Sequence, residues 1–135
     1  MVKGEPINPV ALGPPIGYAN GMRIGDLIFV AGQIGGEPIG QGRVRLVSSA
    51  FVPQFERALA NVLEVVRAAG GSPTSLLEMT VYVKDMAAYR DSRKALGDVW
   101  ARLVGREYPA MTLVAVSDLY EPGALVEIRA IAGLA

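Results

Sequence analysis

Two runs of this chain, Leu27-Ile28-Phe29-Val30-Ala31 and Leu113-Val114-Ala115-Val116, are apolar at every position. A strand with one wet face alternates apolar and polar residues, so a strand without polar positions calls for cover on both faces. Elsewhere the chain offers two amphipathic segments with helical spacing, and two helices laid on a sheet cover one face of it. The second face needs another occupant. More copies of the same chain are the economical answer, so a symmetric oligomer is expected.

Residues 1–16, with Pro9, Pro14 and Pro15, read as an extended lead-in. Tyr18 to Ile24 reads as a weak strand, and Gly25-Asp26 turns it into the Leu27–Ala31 strand as a two-residue hairpin connection. Gly32-Gln33-Ile34-Gly35-Gly36 opens a glycine-rich stretch reaching about Leu46. It lacks both a helix directly behind the glycines and a Gly-Lys-Ser/Thr ending, so it reads as a loop or short hairpin rather than a phosphate cradle.

From Ser49 to Ala69, Phe51, Phe55, Ala58, Leu59, Val62, Val66 and Ala69 share a helical face. Pro53 belongs in its first turn, and Gly70-Gly71 ends it. Leu76 to Lys84 alternates as a strand. A second helix spans Met86 to Val104 with Tyr89, Leu96, Trp100 and Leu103 as its stripe, and Arg93 falls on that stripe. Such an arginine either lays its stem on the core with its head in solvent, or points into a cleft or subunit interface where it can hold an anion. After the Leu113–Val116 strand, Ser117 to Gly123 connects to a last strand, Leu125 to Ala132. The order β-β-α-β-α-β-β describes one α+β domain, residues 1–135, with both helices on one sheet face.

That last strand carries Glu127 inside an apolar run. An unpaired ionised carboxylate is costly to bury, so Glu127 is the first candidate for a catalytic group. The chain has no His and no Cys, which removes thiol nucleophiles, zinc–thiolate sites and the usual neutral-pH proton shuttle. Lys plus Arg and Asp plus Glu both number 13, so no global field favours nucleic acid or an anionic membrane. The apolar runs are too short for a bilayer and the first residues lack a signal h-region, so a cytoplasmic protein is expected.

Gly25-Asp26-Leu27 leading to Ala31-Gly32-Gln33, Leu59-Ala60-Asn61-Val62, Ala68-Ala69-Gly70, Thr80-Val81-Tyr82-Val83-Lys84-Asp85, Tyr108-Pro109-Ala110 and Val126-Glu127-Ile128 occur in that order. With these the chain resembles the Rid family (reactive intermediate deaminase, also called YjgF or endoribonuclease L-PSP-like proteins). The resemblance implies a chorismate-mutase-like α+β fold, a homotrimer whose sheets form a central barrel, and small-molecule clefts between subunits. It also implies hydrolysis of 2-imino acids, or their enamine tautomers, to 2-keto acids and ammonia, with no metal or organic cofactor.

By the same resemblance Glu127 positions or activates the attacking water, Tyr18 lines the pocket, and Ala31 and Gly32 lie in the loop whose backbone meets the substrate. The arginine that clamps the substrate carboxylate in active members is replaced by Met111, and neither Thr112 nor Leu113 restores a cation. Arg93, where active members often carry a cleft-lining Asn, is one possible replacement. The competing expectation is an apolar pocket for a neutral ligand. Each residue also has a plain structural role open to it: cross-strand pairing with an Arg for Glu127, an ordinary aromatic for Tyr18, core filling for Met111, a local hydroxyl bond for Thr112. Two functions compete, a cofactor-independent imine or enamine hydrolase and a trimeric metabolite-binding protein without turnover. RNA cleavage is disfavoured by zero net charge, the lack of His and the lack of a basic–aromatic stripe.

Overall fold

The computed structural model describes residues 3–134. A six-stranded sheet runs in the order β1-β2-β3-β8-β6-β7, where β1 is Glu5–Ile7, β2 Gly21–Ile24, β3 Leu27–Ile34, β6 Leu76–Val83, β7 Ala110–Ala115 and β8 Val126–Gly133. Every pairing is antiparallel except β6 with β7. The architecture is α+β, as the pattern of elements implies.

The β2–β3 hairpin turns at Gly25-Asp26 as expected, pairing Ile24 with Leu27, and Gly25 takes φ 57°, a conformation its missing Cβ permits. Several boundaries differ from the sequence reading. The weak strand begins at Gly21 rather than Tyr18, and part of the lead-in joins the sheet as β1. β3 continues past Ala31 to Ile34, because an irregularity between Val30 and Gln33 lets it keep pairing with β8 around a bend. β7 starts at Ala110 rather than Leu113, since the parallel ladder with β6 already holds Met111 and Thr112 opposite Met79 and Thr80.

The glycine-rich stretch is a separate hairpin, β4 (Gly36–Gly40) and β5 (Arg43–Leu46). Its two connecting residues, Gln41 and Gly42, have φ of 55° and 71°, the mirror-image turn that suits strand twist. Gly35 lies flat against the backbone of Gln54, where a Cβ would have no room, and this close approach lets the hairpin leave the sheet beside a helix.

That helix, α1 (Phe51–Ala68), buries Phe51, Phe55, Ala58, Leu59, Val62 and Val66 in the expected stripe, with Pro53 in the first turn. It packs on Ile28 and Val30 of β3 and Val126, Ile128 and Ala130 of β8. The second helix is broken into α2 (Met86–Asp91) and α3 (Arg93–Leu103). Asp85 caps α2 by accepting from Ala87 N at 2.9 Å, and the chain bends at Ser92. The bend separates the two halves of the expected stripe. Leu96 and Trp100 stay buried, but Arg93 becomes the exposed first residue of α3 rather than part of an apolar face. Trp100 donates its indole N–H to Glu107 O at 3.0 Å and stacks on Tyr108 with ring centroids 5.3 Å apart.

Along β8, Val126, Ile128, Ala130 and Ala132 face α1, while Glu127, Arg129 and Ile131 face the other way. Of the two fully apolar runs, β3 is covered within the chain on one side only, and β7 is exposed along most of its length. Leu27 and Phe29 of β3 are 41% and 40% exposed on the uncovered face.

Gln54 is buried in α1 and ties three backbone groups: its Nε2 donates to Ser48 O at 2.9 Å and Gly123 O at 3.1 Å, and its Oε1 accepts from Leu125 N at 2.8 Å. Gln54→Leu keeps the volume but strands these groups, which should lower unfolding free energy by about 2–4 kcal/mol. Urea denaturation measures this, and a loss well under about 1 kcal/mol would refute the assignment.

Candidate functional site

A cavity of about 920 Å³ opens where the hairpin leaves the sheet. Its floor is β3 from Ala31 to Ile34, with Glu127 reaching in from the neighbouring strand. One wall is the lead-in, with Leu12, Ile16 and Tyr18; the other is the hairpin, with Ile39, Arg43 and Val44. Tyr120 and Glu121, from the connection before β8, also line it.

The walls are held from several directions. Asn61 of α1 donates Nδ2 to Ile34 O at 3.2 Å and Gly36 O at 3.0 Å, fixing the point where the hairpin departs. Arg45 on β5 binds Glu37 on β4 at 2.6 Å, and Arg57 of α1 lies 3.9 Å from the other oxygen of that carboxylate. The hairpin and the lead-in press together. A Cβ at Gly42 would lie 2.6 Å from Ile16 Cδ1, and one at Gly13 2.9 Å from Pro38 Cβ.

Glu127 stands opposite Ile34 on β3 and Tyr82 on β6, half-buried on the face away from α1. Its carboxylate lies against the α-carbon of Gly32: a Cβ there would run into Oε2 and sit 2.8 Å from Cδ. No ion pair among the described residues involves Glu127. Arg129, two residues along β8, stands opposite Thr80 instead. Loss of hydration, with no compensating charge, pushes the Glu127 carboxyl above its ordinary value of 4.5. A carboxylate kept half-buried without a partner beside a cavity is an arrangement suited to proton transfer.

Beside it, Asn20 O accepts from Ala31 N at 2.8 Å, and Gln33 Nε2 donates to Asn20 Oδ1 at 3.3 Å. Asn20 Nδ2 is buried with no acceptor among the described residues.

The fold therefore gathers Tyr18, Ala31, Gly32 and Glu127 into one cavity. Arg93, Met111 and Thr112 are not among the described residues lining it. Met111 and Thr112 lie on the edge strand β7, and Arg93 is exposed at the start of α3. Arg43, Asn20 and Asn61 line the cavity without having been anticipated. For Arg43 the available signal was the Gln-Gly turn before an alternating Arg-Val-Arg-Leu run, which marks a hairpin but not which arginine meets a cavity. Asn61 was visible as part of a motif, but its role depends on carbonyls some 25 residues away.

The endoribonuclease L-PSP family matches residues 9–134. The chain belongs to that family, the Rid proteins. A RutC family protein of Pyrococcus horikoshii is 35% identical over 92% of this chain and 90% of its own length. A goat (Capra hircus) relative named 2-iminobutanoate/2-iminopropanoate deaminase is 31% identical over 92% of this chain and 82% of its own. Among solved structures, the yjgF gene product of E. coli superposes on this Rid protein with TM-score 0.72 at 28% identity, covering 98% of both chains. No helix of the described residues is long and apolar enough to cross a membrane.

Two outcomes are expected. Gly32→Ala should push the Glu127 carboxylate out of place with little effect on the fold, seen as a changed Glu127 titration by NMR at near-wild-type melting temperature. The raised Glu127 pKa means that the folded state binds its proton more tightly than the unfolded chain. The stability contributed by this group is therefore fully present below the ordinary carboxylate range and is lost as pH rises from 4.5 through the raised value. Glu127→Gln should raise the melting temperature at neutral pH, and that gain should vanish in acid.

Proposed function

We propose that this Rid protein hydrolyses a reactive imine, or the enamine tautomer, to a keto compound and ammonia, with Glu127 as general base. The observation that carries the reading is the unpaired, half-buried Glu127 carboxylate against Gly32 on the cavity floor. Glu127 takes a proton from water as the water oxygen bonds to the imine carbon, giving a carbinolamine. That proton passes to nitrogen, Glu127 then moves the remaining hydroxyl proton to the same nitrogen, the C–N bond breaks, and ammonia leaves as C=O forms, so one water is consumed per ammonia released. Desolvation keeps the base above the ordinary carboxylate range and so makes it a stronger proton acceptor. The deaminase name borne by the goat relative supports the same chemistry.

The reading takes residues 1–135 as one domain that works in the cytoplasm without metal or organic cofactor, on a small molecule rather than nucleic acid or membrane. It includes a homotrimer, since the open sheet face exposes Leu27 and Phe29. In such an assembly Arg93, Met111 and Thr112 line a neighbouring copy's cavity, completing an inter-subunit cleft. Met111 favours a second reading, a trimer that binds a metabolite without turnover, because a thioether offers no grip on a carboxylate beside the reacting carbon.

Ammonia release from enzymatically generated 2-imino acids tests the reading. Glu127→Gln should lower kcat by about 10²–10⁴-fold. The rising limb of the wild-type pH profile should lie above 4.5. Activity lost in Arg93→Ala would place the clamp on that arginine; activity gained only in Met111→Arg would mean that the pocket has left this substrate class. Silence in all variants would favour the binding protein. Sedimentation should give the mass of a trimer of 14.3 kDa chains.

A further inference from the structure

We infer that Gln33, steered by Asn20, is a positioning residue: from the covered face of the sheet it fixes the bend in β3 on which the Glu127 carboxylate rests. For its part in catalysis the inference rests on the hydrolytic reading; for the placement of Glu127 it stands on the fold alone.

The bend has a definite count. Val30 stands opposite Ala130 and Gln33 opposite Ile128, so Ala31 and Gly32 together face Arg129 alone. Such a bulge holds one residue more than the ladder can pair, and other bonds must set its position. Here Asn20 and Gln33 take both backbone groups of Ala31. Its N–H donates to Asn20 O at 2.8 Å, and its carbonyl accepts from Gln33 Nε2 at 3.2 Å. Asn20 is itself anchored, donating its backbone N–H to Asn8 Oδ1 at 2.9 Å.

These bonds also settle which way the two amides face. A carbonyl only accepts, so the end of Gln33 that meets Ala31 O is its NH2. The same NH2 lies 3.3 Å from Asn20, whose near atom is therefore the oxygen Oδ1. That leaves Asn20 Nδ2 buried without an acceptor among the described residues. An unmet buried donor is costly, and an apolar side chain of the same size would avoid it. What asparagine adds at this position is the oxygen facing Gln33. Both residues are buried by their own chain, so a neighbouring copy leaves the arrangement as it is.

The two faces of the sheet meet at Gly32. Gln33 shares a face with Ile128, beneath α1, whereas Glu127 points to the open face. Between them runs the backbone of the bulge, and the Gly32 α-carbon touches the carboxylate so closely that a methyl group there has no room. Contact this tight passes a shift of the bulge directly to Glu127. With the Gln33 bonds gone, Ala31 and Gly32 drift and water enters under the carboxylate.

NMR titration of the Glu127 carboxyl carbon in the full-length protein tests this in Gln33→Met and Asn20→Leu, which keep volume and lose the bonds. Both should move the midpoint towards 4.5, by about half a pH unit or more. Val99→Ala, a core loss in α3 away from the bend, should leave it in place. Tyr82, Arg129 and, around the cavity, Tyr18, Arg43, Tyr120 and Glu121 act on Glu127 alike in wild type and variants, as does any group a neighbouring copy brings. The difference therefore reports the bend. In the wild type the side-chain amide protons of Gln33 should exchange slowly with solvent. Where an imine is turned over, both bend variants should lose about tenfold or more in kcat with KM little changed. An unmoved midpoint in a variant that circular dichroism shows to be folded overturns the inference, as does an equal shift in Val99→Ala. Fast exchange of the Gln33 amide protons overturns it too, and that measurement decides alone if neither variant folds. If no imine yields ammonia the hydrolytic reading fails by itself, and the titration still decides what Gln33 holds.

Discussion

One buried amide holds the two halves of this molecule in register. Gln54 bonds to Leu125 N, two residues before Glu127, and to Gly123 O in the turn that precedes it. The helix that covers the sheet thereby also sets where the last strand enters it. From there β8 is pinned on both sides, by β3 and by β6. Strand side chains alternate, so a slip of one residue would swing Glu127 under α1 and turn Ile128 outward. The apolar residues under α1 oppose that slip, and the carboxylate stays on the open face.

The cavity follows from two places where regularity is given up. The bend in β3 between Val30 and Gln33 carries the strand on to Ile34, beneath Glu127. Gly35 then lets the backbone graze α1, so that the hairpin stands off the sheet and leaves space behind it. Bulges and close-approach glycines of this kind re-aim side chains. Here they separate the polar floor from the hairpin wall and its arginine.

The helical stripe of α1 and the alternation of β6 were legible in the sequence because periodicity reports the buried face directly. Glu127 was legible because a charge inside an apolar run has few structural explanations. The failures share another cause. Arg93 was placed on a stripe by counting through Ser92, but a capped α2 ends there and the count restarts. The weak strand was begun at Tyr18, whereas that residue belongs to the cavity wall. Arg43 went unnoticed because its surroundings come from the lead-in and from β8, far apart in the chain. Local pattern names the elements, and the space between them is set by contacts that no window contains.

The central place of β8 also has a consequence in time. The strand that joins β3 to β6 is the last one in the chain, so during synthesis the two inner strands wait with unpaired edges until more than 120 residues have been made. Contacts of such long sequence separation form slowly and leave aggregation-prone intermediates exposed. Glu127 arrives on that closing strand. Cavity floor and completed sheet therefore come into being together, and a chain whose sheet has not closed has not yet placed Glu127 above Gly32.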